Sequence, residues 1–109
     1  MTGYTSIKND VIARLDANMP EIRRRFGIET LGIFGSVSRG DDGPDSDIDI
    51  FYTFQSGKIN YATYLDLCDY LENLLGHTIE MAALDSMPER FRKAIEPDMR
   101  IAGIGAESA

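Results

Sequence analysis

The stretch that decides the fold is "LGIFGSVSRGDDGPDSDIDI", Leu31 to Ile50. It opens on apolar residues that read as the end of a strand. It turns at Gly35, carries a run of small and charged residues, and closes on the alternating "SDIDI". Five aspartates fall between Asp41 and Asp49. Like charges so close together repel, so either the segment is a solvated loop or a cation belongs beside it. "SDIDIFYTF", Ser46 to Phe54, alternates and is rich in strand formers, so it is read as a strand. Asp47 and Asp49 then project from one face, with Cα atoms about 6.6 Å apart, and Ile48 and Ile50 point to the core. A slip of one residue would bury the acids and expose the isoleucines, so the apolar pattern sets their position.

Working outward, "IETLGIF", Ile28 to Phe34, is the strand before the turn. On its N-terminal side Ile7, Val11, Ile12 and Leu15 predict a helix from Ser6 to about Ala17. Asn18 is read as the cap of a second short helix, with Pro20 in its first turn and Gly27 as its stop. On the other side Ser56 and Gly57 break the second strand. A helix is expected from about Asn60 to Leu75, its stripe formed by Tyr64, Leu67, Cys68, Leu71, Leu74 and Leu75, with Gly76 ending it. "HTIEMAAL", His77 to Leu84, reads as a third strand. A last helix is capped by Asp85 or Ser86, with Pro88 near its start; Phe91, Ala94 and Ile95 face inward and Pro97 ends it. "ESA" at the C-terminus reads as a frayed end. The order predicts an α+β fold, a two-layer arrangement of a small mixed sheet with helices packed mainly on one face.

The 109 residues suggest a single domain, 1–109, and 43% hydrophobic content is that of a globular chain. A net charge of −7 argues against a broad nucleic-acid or membrane surface. No apolar run is long enough to span a bilayer, and the N-terminus lacks the basic start and apolar stretch of a signal peptide. The single cysteine, Cys68, cannot form an internal disulfide and reads as a small core residue, so a cytoplasmic location is expected. His77 reads as a surface residue. Tyr61, Tyr64 and Tyr70 read as core and rim, with a share in a partner interface.

Asp47 and Asp49 are all-oxygen donors, which suit Mg2+ or Mn2+. Glu80 lies between Ile79 and Met81; if those two face the core and the third strand neighbours the second, Glu80 stands beside the aspartates. The alternative for Glu80 is a solvent-facing place at a sheet edge. Gly35 allows a sharp turn and close approach, and Ser36 and Arg39 could bind phosphate oxygens. Two other motifs fail. A P-loop needs Lys where Asp41 stands, and a calcium loop needs Gly where Ile50 stands. Asp41, Asp42 and Asp45 are read as turn formers and solvated loop residues.

Gly35-Ser36, ten residues, then Asp47-Ile48-Asp49 matches the G-S-x(10)-D-x-D signature. In this and in its flanking residues the chain resembles the minimal nucleotidyltransferases (MNT), a branch of the DNA polymerase β-like superfamily, from about Ile7 to Ile101. The resemblance implies that Gly35 and Ser36 hold the β- and γ-phosphates of a nucleoside triphosphate, ATP above all. It implies that Arg39 assists, and that Asp47, Asp49 and a third carboxylate bind two Mg2+ ions. That third position is usually Asp and is Glu80 here. A longer side chain shifts its carboxylate by an ångström or so, which can cost about 10²-fold in rate. The resemblance also implies a partner: small members serve as antitoxins of HEPN toxins, some transferring AMP to a toxin tyrosine. Three functions follow as expectations. They are a Mg-dependent adenylyltransferase acting on a HEPN toxin, an antitoxin that masks its partner by contact alone, and a stand-alone enzyme modifying a small molecule. The last is disfavoured by the lack of an acceptor-binding domain.

Overall fold

The computed structural model describes residues 3–55 and 60–103; Ser56, Gly57 and the terminal "ESA" lie outside them. The order is α1 (Lys8–Phe26), β1 (Ile28–Phe34), α2 (Gly35–Arg39), β2 (Ile48–Phe54), α3 (Tyr61–Leu75), β3 (Ile79–Ala83), α4 (Glu89–Ile95) and β4 (Arg100–Ile101), with short 3-10 turns at Leu84–Ser86 and Glu96–Asp98.

One long helix replaces the two expected at the N-terminus. Pro20 sits inside α1 without ending it. Val11, Leu15, Met19, Ile22 and Phe26 form one buried stripe at spacings of three and four, and that burial outweighs the bond lost at proline. Asn18 does not cap; its amide donates to the Arg14 carbonyl at 2.8 Å. Gly27 and Gly76 end α1 and α3 in the left-handed conformation, and the Asn60 side chain caps α3 by accepting from the Thr63 N–H.

The strands form one mixed sheet in the order β3-β2-β1-β4. β1 is antiparallel to β2 and β4, while β2 and β3 are parallel, joined through α3. Ile48, Ile50, Tyr52 and Phe54 of β2 pack with α1 and α3 on one face. Phe51 points the other way, into a smaller cluster with Phe34 and Ile95. The helices thus lie mainly on one face, as expected, with α4 partly covering the other.

Three C-terminal expectations are corrected. The last helix begins at Glu89 after Pro88, with Asp85 and Ser86 in a 3-10 turn and no side-chain cap. Phe91 touches Phe34 yet is 46% exposed, and Ala94 is exposed too, so of the three expected inward residues only Ile95 is buried. The edge strand β4 was not anticipated. Its trace in the sequence is Gly32, where a Cβ would lie 2.3 Å from the Arg100 carbonyl oxygen and 2.4 Å from the Phe51 ring. Cys68 is half-buried rather than core, His77 is exposed, and Tyr61 is 72% exposed against half-buried Tyr64 and Tyr70. Among the described residues no helix is long and apolar enough to cross a membrane.

Candidate active site

The site lies on the sheet face opposite α1 and α3, where β1 ends and β2 begins. Alternation decides this: Ile48 and Ile50 are fully buried in the main core, so Asp49 between them is on the other face. Ile79 and Met81 pack on the main core from β3, so Glu80 faces the same way as Asp49. The parallel register pairs Asp49 directly with Glu80, and the antiparallel one pairs Phe34 with Asp49. Glu80 therefore stands beside Asp49 on the neighbouring strand. β2 begins at Ile48, two residues later than the expected Ser46, so Asp47 sits just ahead of the strand rather than in it. The Ile48 N–H donates to the Thr78 carbonyl at 3.0 Å, and the Thr78 hydroxyl donates to the Asp47 carboxylate.

Gly35 is the hinge of the arrangement. Its φ is +77°, and a Cβ there would lie 2.2 Å from Asp49 Oδ2. Glycine is required because the Asp49 carboxylate lies against this backbone. Ser36 follows in α2. Its carbonyl accepts from the Asp41 N–H at 3.0 Å, and its hydroxyl has no protein partner among the described residues. Arg39 ends α2. Its Nε reaches Asp41 Oδ2 at 3.1 Å and its Nη1 reaches Asp98 Oδ2 at 2.9 Å. Those two carboxylates raise the guanidinium pKa further, Asp98 foremost.

Burial pushes the Asp49 carboxyl up from its ordinary value; the charges of Glu80 and then Asp47 push it further, and Arg39 opposes them. Gly35, Arg39, Asp49, Glu80 and Asp98 line one open cleft of about 450 Å³, whose remaining wall includes Phe34, Met81, Ala82, Phe91 and Ile95. Of the acids and phosphate-binding residues expected from sequence, Gly35, Arg39, Asp49 and Glu80 are brought into this cleft. Asp47 lies close enough to act on Asp49 but its carboxylate is engaged by Thr78. Among the described residues, no three His, Cys, Asp or Glu side chains stand together as a ready metal cage. The donor chemistry nevertheless fits a hard divalent ion. Asp49 and Glu80 are register partners on adjacent strands, and the charges of Glu80 and Asp47 add to the burial that raises the Asp49 carboxyl, a repulsion a cation would relieve.

Two aspartates depart from the sequence expectation. Asp42 is buried, not a solvated loop acid. It accepts from the Tyr4 hydroxyl at 2.6 Å, from the Ser6 hydroxyl and from the Ile7 N–H at 3.2 Å, and so ties the loop to the start of α1. Burial alone would raise its pKa; those donors outweigh burial and hold it below the ordinary carboxylate value. Asp98, absent from the expected site, holds Arg39 and accepts from the Ser38 hydroxyl through its carbonyl. No local signal marks it, since it comes to α2 from 59 residues away.

Residues 19–101 match the family described as Polymerase beta, Nucleotidyltransferase. The chain is 35% identical to the protein adenylyltransferase MntA of Thermococcus cleftensis over 81 residues, 74% of this chain and 81% of that one. A solved structure provisionally described as a minimal nucleotidyltransferase superposes with a TM-score of 0.72 at 27% identity, covering 85% of this chain and 93% of the other. A chain from the complex of the tri-AMPylated Shewanella oneidensis HEPN toxin with MNT antitoxin shares the fold, with a TM-score of 0.51 at 19% identity, covering 86% and 66%.

Proposed function

This chain belongs to the polymerase beta nucleotidyltransferase family, and on that premise we propose that it transfers AMP from ATP to a tyrosine hydroxyl of a cognate HEPN toxin, acting as its antitoxin. The observation that carries the reading is the placement of the Asp49 carboxylate against the Gly35 backbone, beside Glu80 and in one cleft with Arg39. The MntA relative is named for protein adenylylation, and an AMPylated toxin accompanies the MNT fold in the Shewanella complex.

In this reading the Gly35–Ser36 turn and the free Ser36 hydroxyl receive the β- and γ-phosphates. Arg39 pairs with an outer phosphate, exchanging one of its two carboxylate partners for it. Asp47, Asp49 and Glu80 would hold two Mg2+ ions, the Thr78 hydroxyl engaging only Oδ1 of Asp47 and leaving its other oxygen free. Bound there, the ions would lower the pKa of the acceptor hydroxyl and neutralise charge on the leaving group. The acceptor oxygen attacks the α-phosphorus, the bond to pyrophosphate breaks, and Glu80 takes the acceptor proton.

The alternative reading, neutralisation by contact alone, is favoured by one observation: the third carboxylate is Glu80, a longer side chain than the aspartate usual at that position. One experiment separates the two. The protein is incubated with α-labelled ATP, Mg2+ and the toxin encoded beside it, together with the Asp47→Asn, Asp49→Asn double variant. Label on the toxin that the double variant fails to transfer supports the enzyme. No label, or equal label from the variant, contradicts it, and neutralisation that survives both substitutions supports contact alone.

A further inference from the structure

The cleft has two unlike ends. Gly35, Arg39, Asp49 and Glu80 make one end polar and charged; the side chains of Ala82, Phe91, Ala94 and Ile95 wall the other, Met81 turning its own side chain to the main core. None of these four side chains carries a hydrogen-bond donor or acceptor. Phe91 is the exception in a chain that otherwise buries its phenylalanines, each of the other four being under a tenth exposed. It is nonetheless not loose. Its ring stands edge to face on Phe34, centroids 6.4 Å apart at 85°, and Phe34 in turn packs on fully buried Phe51. A ring held by its neighbour and still open to the cleft is a flat apolar surface of fixed orientation.

We propose that Phe91 is the stacking platform for the nucleobase of the bound nucleoside triphosphate, and that this end of the cleft holds purines by stacked area rather than by reading their edges. The inference rests on the reading of the cleft as a triphosphate site, and it adds a specificity to it. Every base presents a π-face, so stacking discriminates weakly among purines, whereas edge recognition needs donors and acceptors that these side chains lack.

The test is calorimetric titration of the full chain with ATP, GTP and inorganic tripolyphosphate, each with Mg2+, using the native protein, Phe91→Ala, Phe91→Leu and Phe91→Trp. The native protein is expected to bind ATP and GTP within about tenfold of each other, and both more tightly than tripolyphosphate. Phe91→Ala and Phe91→Leu should each weaken ATP by about tenfold or more while leaving tripolyphosphate unchanged, and Phe91→Trp should preserve ATP binding. Unchanged ATP affinity in Phe91→Leu overturns the proposal, as does a native protein that prefers ATP to GTP by more than about 100-fold. Should Phe91→Ala lose tripolyphosphate as well, it has failed to fold, and Phe91→Leu decides. A native protein that binds tripolyphosphate as well as ATP sinks the base platform but leaves the triphosphate reading standing; one that binds neither sinks both.

Discussion

The Asp49 carboxylate occupies the space that any side chain on residue 35 would need: a Cβ built on Gly35 would lie 2.2 Å from Asp49 Oδ2. The glycine of the motif thus serves the acid of the motif, across the β1–β2 pair. Gly35→Ala meets two obstacles, the contact and a φ of +77° that disfavours any Cβ. It is expected to destabilise the fold by about 1–2 kcal/mol from the backbone alone. It should also lower AMP transfer by at least about 10²-fold by moving the carboxylate. Thermal melts and labelled transfer measure the two; transfer at the native rate would show that Asp49 need not touch this backbone.

Asp49 should trade stability for activity. Its native pKa is raised by burial, Glu80 and Asp47, so the folded chain holds the proton more tightly than the unfolded one. Stability from this group is full below the ordinary carboxylate pKa and is lost as pH rises through the native value. In metal-free protein Asp49→Asn is therefore expected to raise the melting temperature at neutral pH, with the gain vanishing in acid, while lowering transfer by about 10²-fold or more. A variant less stable than the native protein at pH 7 would contradict the electrostatic account.

Asp42 should behave in the opposite sense. Its native pKa lies below the ordinary value, so its contribution is full above about pH 4 and is lost as pH falls through the native pKa. Asp42→Ala leaves the Tyr4 and Ser6 hydroxyls and the Ile7 N–H without their acceptor. The expected cost is about 1–3 kcal/mol at pH 7 with the nucleotide site unchanged. Denaturant melts at pH 7 and pH 3 check it: the difference from the native protein should shrink at the lower pH.

Arg39 is exposed, and its ion pairs with Asp41 and Asp98 should add little to the fold. Arg39→Ala is expected to leave the melting temperature unchanged and to raise the KM for ATP by about tenfold, with a smaller effect on kcat. Steady-state kinetics separate the two; a loss confined to kcat would place Arg39 elsewhere in the reaction.

Much of this was legible because the pattern in "SDIDI" is unambiguous. Isoleucines at 48 and 50 can only face the core, so Asp49 had to face away, and the same logic placed Glu80 between Ile79 and Met81. What stayed hidden depended on distant contacts. Pro20 reads as a helix start until Met19 and Ile22 are seen to continue one buried stripe. Asp42 resembles its acidic neighbours, and only the return of Tyr4 and Ser6 to it makes it structural. Asp98 joins Arg39 through tertiary folding alone. Phe91 carries the helical spacing of a core residue and shares a face with buried Ile95, but it packs only against Phe34 and stays half exposed.

The central claim is that Asp47, Asp49 and Glu80 gather divalent ions beside the Gly35–Ser36 turn. Anomalous diffraction from crystals grown with Mn2+ and a non-hydrolysable ATP analogue tests it directly. The expected result is manganese bound by Asp47 and Asp49, with Glu80 alongside and the triphosphate lying against Gly35 and Ser36. Manganese absent from these carboxylates, or a triphosphate seated away from the turn, would contradict it.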